Sequence, residues 1–558
     1  MKLNNRIAGI LSLLLILVVT SGFINFKPDF HSDKQTYSLI LNALKNKSGS
    51  GDLPNWATMD PVKDGYEGTS TNSFYEYLRT LANPPERKEV IVAVIDSGFD
   101  IEHPDLKDNI WVNEIEMNGT EGVDDDNNGY VDDFHGWNFL GNANYISLEV
   151  AREYKKLKKA NTPKTDPYFI KVEDEYYSKK DETIATKDGI DQTLADVIEA
   201  EAVLKQKNIT TDPRKLQEIS MSLPEGKLSD AASIILGVYL LFGADKDDLV
   251  QLKRDYDIKV KCLFDTTDTY ILVGDDPDNL SETNYGNNDV TEKNEEHGTH
   301  VSGIIASVKT GQAPFAKLML LRGVPNEGDE RDKDIANAIR YAADNGANII
   351  NMSAGKYFSP DSEYVVDAIK YAAEKNVLIV LSAGNEGDNI TDIVNYPRKY
   401  YMENGQKKYF DNMLVVGANS WMKKWSSKMD PENKNLRYDL AAPFSNYSNT
   451  VVDIFAPGVQ INSTIPGGKY KMIDGTSMAS PEVAGVAAVI KAYFPDLTAA
   501  QLKDIIVSSA RQYPDLMVKV KDGPKKLFTN MSKSGGVVDL MSAFKKRGSE
   551  FFAELVRS

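Results

Sequence analysis

The sequence predicts an α/β protein: a doubly wound parallel sheet with helices on both faces, plus a mainly helical insertion. Three observations carry this expectation. "KEVIVAVIDSGFD" is a short β-branched apolar run ending in Asp-Ser-Gly, the pattern of a strand buried on both faces. From Val301 onward, apolar strands alternate with helical patterns: "AKLMLLRGV", "DKDIANAIRYAADNG", "ANIINMSAG", "SEYVVDAIKYAAEKN" and "VLIVLSAGNEG" follow in turn. Strand–helix–strand repetition of this kind makes a parallel sheet. Between residues 141 and 288 the chain changes character, becoming rich in Lys, Glu and Asp with helical runs.

This divides the chain into a first part at 55–140, the insertion at 141–288 and a second part at 289–558. In the insertion, "QTLADVIEAEAVLKQ" places Leu194, Val197, Ile198 and Ala202 on one helix face. "SDAASIILGVYLLFG" is more apolar but too short to span a bilayer. "DIKVKCLFDTTDTYILVG" alternates as a strand does and is expected to bury Cys262 as a structural thiol. One cysteine permits no intramolecular disulfide, so packing or bound ions must stabilise the fold.

The N-terminus, "MKLNNRIAGILSLLLILVVTSGF", places Lys2 and Arg6 before an apolar run from Ile7 to Val19, with small residues after it. That is the order of a secretory signal, residues 1–21, with cleavage near Ser21. The competing reading is an uncleaved anchor; a lipoprotein is excluded because no Cys follows the apolar run. The protein is therefore expected outside the cytoplasm, periplasmic or secreted, with no stable membrane insertion once the signal is cut. Residues 22–54 are polar and flexible, too short for a folding-assistant prodomain. Losing Lys2 and Arg6 takes the net charge from −18 to −20. So acidic a chain argues against nucleic acid as a partner. Oligomeric state is not legible.

Four segments each end a strand or begin a helix, and each offers one chemically apt side chain. "VIDSGFD" offers Asp96, "EEHGTHVSG" His297, "SAGNEG" Asn385 and "DGTSMASP" Ser477. Taken singly, each has a plain structural explanation. Asp96 suits a strand-end cap, Asn385 a turn, and Ser477 a cap on a helix beginning at Met478. His297 and His300, three apart with Glu295 or Glu296 nearby, suit a metal. Taken together they are the parts that acyl transfer needs. A serine hydroxyl needs an imidazole to take its proton, the imidazole needs a carboxylate, and the oxyanion needs a donor.

These segments resemble the subtilisin-like serine proteases (subtilases, peptidase S8), on "HGTHVSG", "GTSMASP", "ANIINMSAG", "FAPGVQINSTIPGGKY" and "KAYFPDLTAAQLKDIIVSSA". The order Asp–His–Ser is the family's. The resemblance covers about 89–137 and 290–510 and implies an exported serine endopeptidase acting on proteins or peptides. It implies Asp96 as the orienting carboxylate, His297 as base then acid, Ser477 as nucleophile, and Asn385 with the Ser477 N–H as oxyanion hole. Gly475 and Thr476 would let backbone approach substrate, and the helix start would add positive potential. Two departures stand out: Glu482 where the family usually has His, and 201 positions between Asp96 and His297. The insertion is expected to form a helical subdomain beside the cleft.

The resemblance also implies that substrate pairs with Ser353-Ala354-Gly355, facing Ser382-Ala383-Gly384. The small side chains there leave a slot suited to an apolar residue, with Asn395 at its floor where glycine is common. Separately, "DDDNNGYVDD" sets Asp124, Asp126, Asn128, the Tyr130 carbonyl and Asp132 at alternating positions, the first part of a calcium loop. His135 stands where an EF-hand needs Glu, so a complete EF-hand is rejected. Two rivals remain open: a metallohydrolase using His297 and His300, and a catalytically silent binding protein on a protease fold.

Overall fold

The computed structural model describes residues 55–82, 85–242, 244–264, 270–421, 440–521 and 523–557. The expected signal and the segment to residue 54 lie outside the described residues. Two compact units divide the chain. One holds 53–149, 267–426 and 436–558; the other includes 150–266.

The larger unit is built on nine strands. In chain order they are β1 (Ile91–Asp96), β2 (Gly136–Asn138), β3 (Lys317–Arg322), β4 (Ile349–Met352), β5 (Leu378–Ser382), β6 (Met413–Asn419), β7 (Ile454–Pro457), β8 (Arg511–Gln512) and β9 (Gly536–Val537). They lie in the order β8-β9-β7-β6-β5-β4-β1-β3-β2. Every pairing is parallel except β8 with β9.

Successive side chains of a strand point to opposite faces, and the two cores follow that alternation. Val92, Val94, Leu318, Leu320, Val380 and Val416 join one cluster, while Ala93, Ile95, Met319, Leu321, Ile379 and Val415 join the other. The first face is covered by α1 (Thr71–Thr80), α2 (His297–Ala306), and, further along the chain, by the helices at 476–493, 499–508 and 540–557. The second is covered by α3 (Asp332–Asp344) and α4 (Ser362–Glu374). The helices of the first face after α4 are α5 (Thr476–Tyr493), α6 (Ala499–Ser508) and α7 (Leu540–Arg557). The doubly wound α/β architecture is the observed one.

The chain runs from β1 outward to β2 and β3 on one side, then from β4 onward on the other. Strand order thus reverses between β1 and β4, the place where such sheets open a crevice beyond their carboxyl ends. Register fixes what meets there. Ile95 pairs with Met352 and Met352 with Leu381, so Asp96, Ser353 and Ser382 follow on three adjacent strands.

Glu482 lies in α5, 1% exposed, where it accepts a hydrogen bond from Gln312 Nε2. Gln312 Oε1 in turn accepts from the hydroxyls of Thr69 and Thr71, which tie the N-terminal segment into the core. Burial holds the Glu482 carboxyl well above the usual range, against the smaller opposing effect of the Gln312 bond. A carboxyl raised in the folded state binds its proton more tightly there than in the unfolded chain. Stability is therefore complete below the unfolded value, near 4.3, and falls by about 1.4 kcal/mol per pH unit up to the folded value. Glu482→Gln is expected to raise the melting temperature at pH 8 but not at pH 4. Thermal unfolding across that range checks it, and an equal effect at both pH values contradicts it.

In the second unit, long helices form their own core. Asp166 caps Pro167–Lys205 by accepting from the Tyr168 and Phe169 N–H groups, with Pro at the first turn. Leu194, Val197, Ala200 and Leu204 of that helix meet Ala232, Ile235 and Leu236 of Lys227–Phe242, together with Leu249. The buried stripe differs from the expected one, because Ile198 is 51% exposed and Ala202 is also exposed. The face runs through 197, 200 and 204, one step around the helix. Cys262 also differs from expectation: it ends a helix, Lys246–Cys262, and is half-buried. A capping box between Asp245 and Asp248 starts that helix, and Lys253–Asp257 adds an i,i+4 pair. These local signals outweigh the alternating pattern.

Candidate active site

Asp96 ends β1 and is 2% exposed. Its Oδ1 accepts from the Ser97 N–H at 2.8 Å and from His297 Nδ1 at 2.7 Å. His297 opens α2, which must come very close to the strand end to make that bond. Gly298 permits it: a Cβ there would lie 2.3 Å from the Gly98 carbonyl oxygen. The imidazole is about a third exposed. Burial pulls its pKa down, but the charge and hydrogen bond of Asp96, helped by Glu295, outweigh this and leave it raised.

His300, one turn on, points elsewhere. Its Nε2 lies 3.1 Å from the Ile461 carbonyl and 3.0 Å from that of Lys471, joining α2 to the hairpin Ile461–Ile465/Lys469–Ile473. Burial lowers its pKa to about 4, so it stays neutral and structural. Among the described residues, the group of three or more side chains placed to share a metal ion is Glu116, Asp124 and Asp126 and includes neither histidine.

Ser477 is the second residue of α5, whose N-cap is Gly475, so it is not the cap. Pro481 stands four residues on and has no N–H to give to the Ser477 carbonyl. That carbonyl instead accepts from Ser353 Oγ at 3.0 Å. Ser353 is further held by Asn351 Nδ2 and by Ser480 Oγ. The Ser477 hydroxyl donates to the Ser353 carbonyl at 3.2 Å, and among the described residues no hydrogen bond joins it to His297. Asn385 follows β5 and is exposed. Its Oδ1 accepts from the Thr476 N–H at 2.8 Å and from the Thr476 hydroxyl at 2.9 Å. That pins the carboxamide beside the start of α5 and leaves its Nδ2 donors uncommitted among the described residues.

Of the expected slot residues, Ala354, Ser382, Ala383 and Asn395 line one pocket, which encloses about 840 Å³ partly open to solvent. Ser353, Gly355 and Gly384 are not among its lining. Ser353 is buried beneath Ser477, and Gly355 backs onto Asn395, whose Oδ1 would lie 3.3 Å from a Cβ there. The pocket continues past Asn395 to Tyr396, Tyr400 and Tyr409. The next residue along the edge, Lys356, pairs its backbone with Tyr396 in both directions. Its buried ammonium donates to Glu149 and pairs with Asp332. This lysine and the hairpin Tyr400–Glu403/Gln406–Tyr409 gave no signal in the sequence beyond ordinary surface patterning.

The acidic loop draws Asp124 and Asp126 together with Glu116, a residue the loop pattern does not contain, with oxygens all within 4.8 Å of one another. Asn128 Oδ1 accepts from the Tyr130 N–H at 2.8 Å. Asp132 turns through positive φ, its Oδ2 accepting from the Gly122 N–H and its Oδ1 buried without a hydrogen-bond partner.

The family model for the subtilase family matches residues 87–532. The chain belongs to the subtilase family. This subtilase is 38% identical over 200 residues to the thermophilic serine proteinase of Bacillus sp. (strain AK1), covering 35% of this chain and 42% of that one. It is 34% identical over 220 residues to subtilisin E of Bacillus subtilis (strain 168), covering 38% and 50%. The chain thus spans about half the length of the curated relatives it matches. A crystal structure of a cold adapted subtilisin-like serine proteinase matches at 27% identity and a TM-score of 0.33, covering 45% of this subtilase and 76% of that chain.

Proposed function

We propose that this subtilase is a serine endopeptidase that cleaves proteins or peptides through an acyl-enzyme. The observation that supports it most is the 2.7 Å bond between Asp96 and His297, made at the sheet crevice where Ser477 rests on Ser353. In this reading, substrate binding turns the Ser477 hydroxyl from the Ser353 carbonyl to His297 Nε2. Ser477 Oγ attacks the scissile carbonyl carbon as its proton passes to Nε2, and Asp96 at Nδ1 steadies the imidazolium. Asn385 Nδ2 and the Ser477 N–H stabilise the oxyanion. His297 returns the proton to the leaving amine, the C–N bond breaks, and water then releases the acyl group by the same steps. Ala354 with Ser382 and Ala383 would flank the backbone and one side chain of the substrate, and Asn395 would bound that slot. Hydrolysis of a peptide amide, stopped by a fluorophosphonate and indifferent to a zinc-selective chelator, tests this reading against a metallohydrolase.

Export is part of the proposal and rests on the Lys2/Arg6 and Ile7–Val19 pattern. Among the described residues no helix is long and apolar enough to cross a membrane. Structural calcium belongs here too. Glu116, Asp124 and Asp126 offer hard oxygen ligands; Asp132, from the same loop, lies outside that group, although its Oδ1 lacks a hydrogen-bond partner. When bound, calcium would neutralise these carboxylates and hold the loop, without any part in catalysis. Calcium is expected to stabilise the folded state, as any ligand of it does, by about 2.7 kcal/mol at one hundred times its Kd, and so to raise the melting temperature. Asp126→Ala and Glu116→Gln should each remove that rise. An unchanged melting temperature with calcium or EDTA would refute the site.

A further inference from the structure

Two residues before His297, the side chain of Glu295 turns back onto the start of α2. Its Oε1 accepts from the backbone N–H of Glu296 and from that of His297, both at 3.1 Å. The carboxylate is half-buried and anchored by the same residue whose imidazole Asp96 holds. We propose that Glu295 is a positioning residue for the reaction described above: a second carboxylate that, with Asp96, sets the pH at which His297 becomes a base. The inference rests on the proposed role of His297.

The surroundings leave this charge few competitors. From β1 comes Asp96. At the end of β3, Arg322 is paired with Glu292 at 3.3 Å and also interacts with the Glu295 charge, which it partly offsets. The hairpin on α2 brings Lys471, which is paired with the half-buried Glu296 at 2.6 Å. Within α2, His300 is neutral. From α5 come Glu482, bonded to Gln312 with its carboxyl pushed up by burial, and Lys491 in its last turn. Among the described residues, Glu295 is thus the carboxylate besides Asp96 whose charge raises the imidazole pKa. The coupling runs both ways. Burial raises the Glu295 pKa, while the His297 N–H and the His297 charge pull it back. An anion near an imidazole stabilises the protonated ring, so it delays the appearance of the base as pH rises.

The test is the pH dependence of kcat/KM on an uncharged peptide amide, beside an NMR titration of the His297 imidazole in Ser477→Ala protein. Glu295→Gln keeps the acceptor for both N–H groups and removes only the charge. It is expected to move the acid-limb midpoint and the imidazole titration down by about one pH unit. Glu296→Gln, whose partner Lys471 already screens it, should move both by less than half as much. A purely structural cap, which the glutamine preserves, predicts both midpoints in place. Unmoved midpoints in folded Glu295→Gln, or equal shifts from Glu296→Gln, would overturn the inference. Absence of peptide hydrolysis in the unsubstituted protein would defeat the proposed function alone, since the imidazole titration decides the Glu295 inference without turnover.

Discussion

Ser477→Ala is expected to lower kcat on a peptide amide by about 10⁶-fold, a magnitude taken from the subtilisin triad. The fold should survive the change. The hydroxyl makes one bond, to the Ser353 carbonyl at 3.2 Å, and an exchangeable hydrogen bond of that kind contributes about 1 kcal/mol or less. The supports of the site are elsewhere: Ser353 Oγ holds the Ser477 carbonyl, and Thr476 holds Asn385. A melting temperature close to that of the parent, with only the residual hydrolysis that the oxyanion donors and binding support, is the expected pair of results. Retained hydrolysis in a Ser477→Ala protein would remove the nucleophile from the account.

Asn385 should have the next largest effect. Asn385→Ala is expected to lower kcat by about 10²–10³-fold with KM little changed, because the donor acts on charge that develops only in the transition state. The structure adds a control. Asn385 Oδ1 also accepts two bonds from Thr476, so alanine removes a support of α5 as well as a donor. Asn385→Asp keeps the acceptor for Thr476 and replaces the donor with a negative charge. If the donor matters, Asp loses at least as much kcat as Ala while melting closer to the parent. If only the Thr476 support matters, Asp restores activity.

Much of this was legible because strands buried on both faces and helices of period 3.6 leave strong marks. The runs at 91–96, 317–322, 349–352 and 378–382 were visible as apolar blocks, and their order implied the parallel sheet. Asp96, His297, Asn385 and Ser477 stood out because each lies where a strand ends or a helix begins. What stayed hidden depends on contacts between distant segments. Glu116 reaches the acidic loop across a turn, and Ser353 supports Ser477 from another strand. Lys356 looks like a surface lysine until Glu149 and Asp332 surround it. The strand-like alternation around Cys262 misled because a short alternating run is compatible with either period, and the capping box upstream decides for the helix.

The proposed chemistry stands on Ser477 being a hydroxyl activated by His297, itself held by Asp96. Fluorophosphonate labelling read by peptide mass spectrometry decides this, since the probe reacts with an activated serine. One label per chain is expected, on Ser477, lost in Ser477→Ala and strongly slowed in folded His297→Ala. A folded, peptide-cleaving protein left unlabelled, or one labelled equally well without His297, would contradict it.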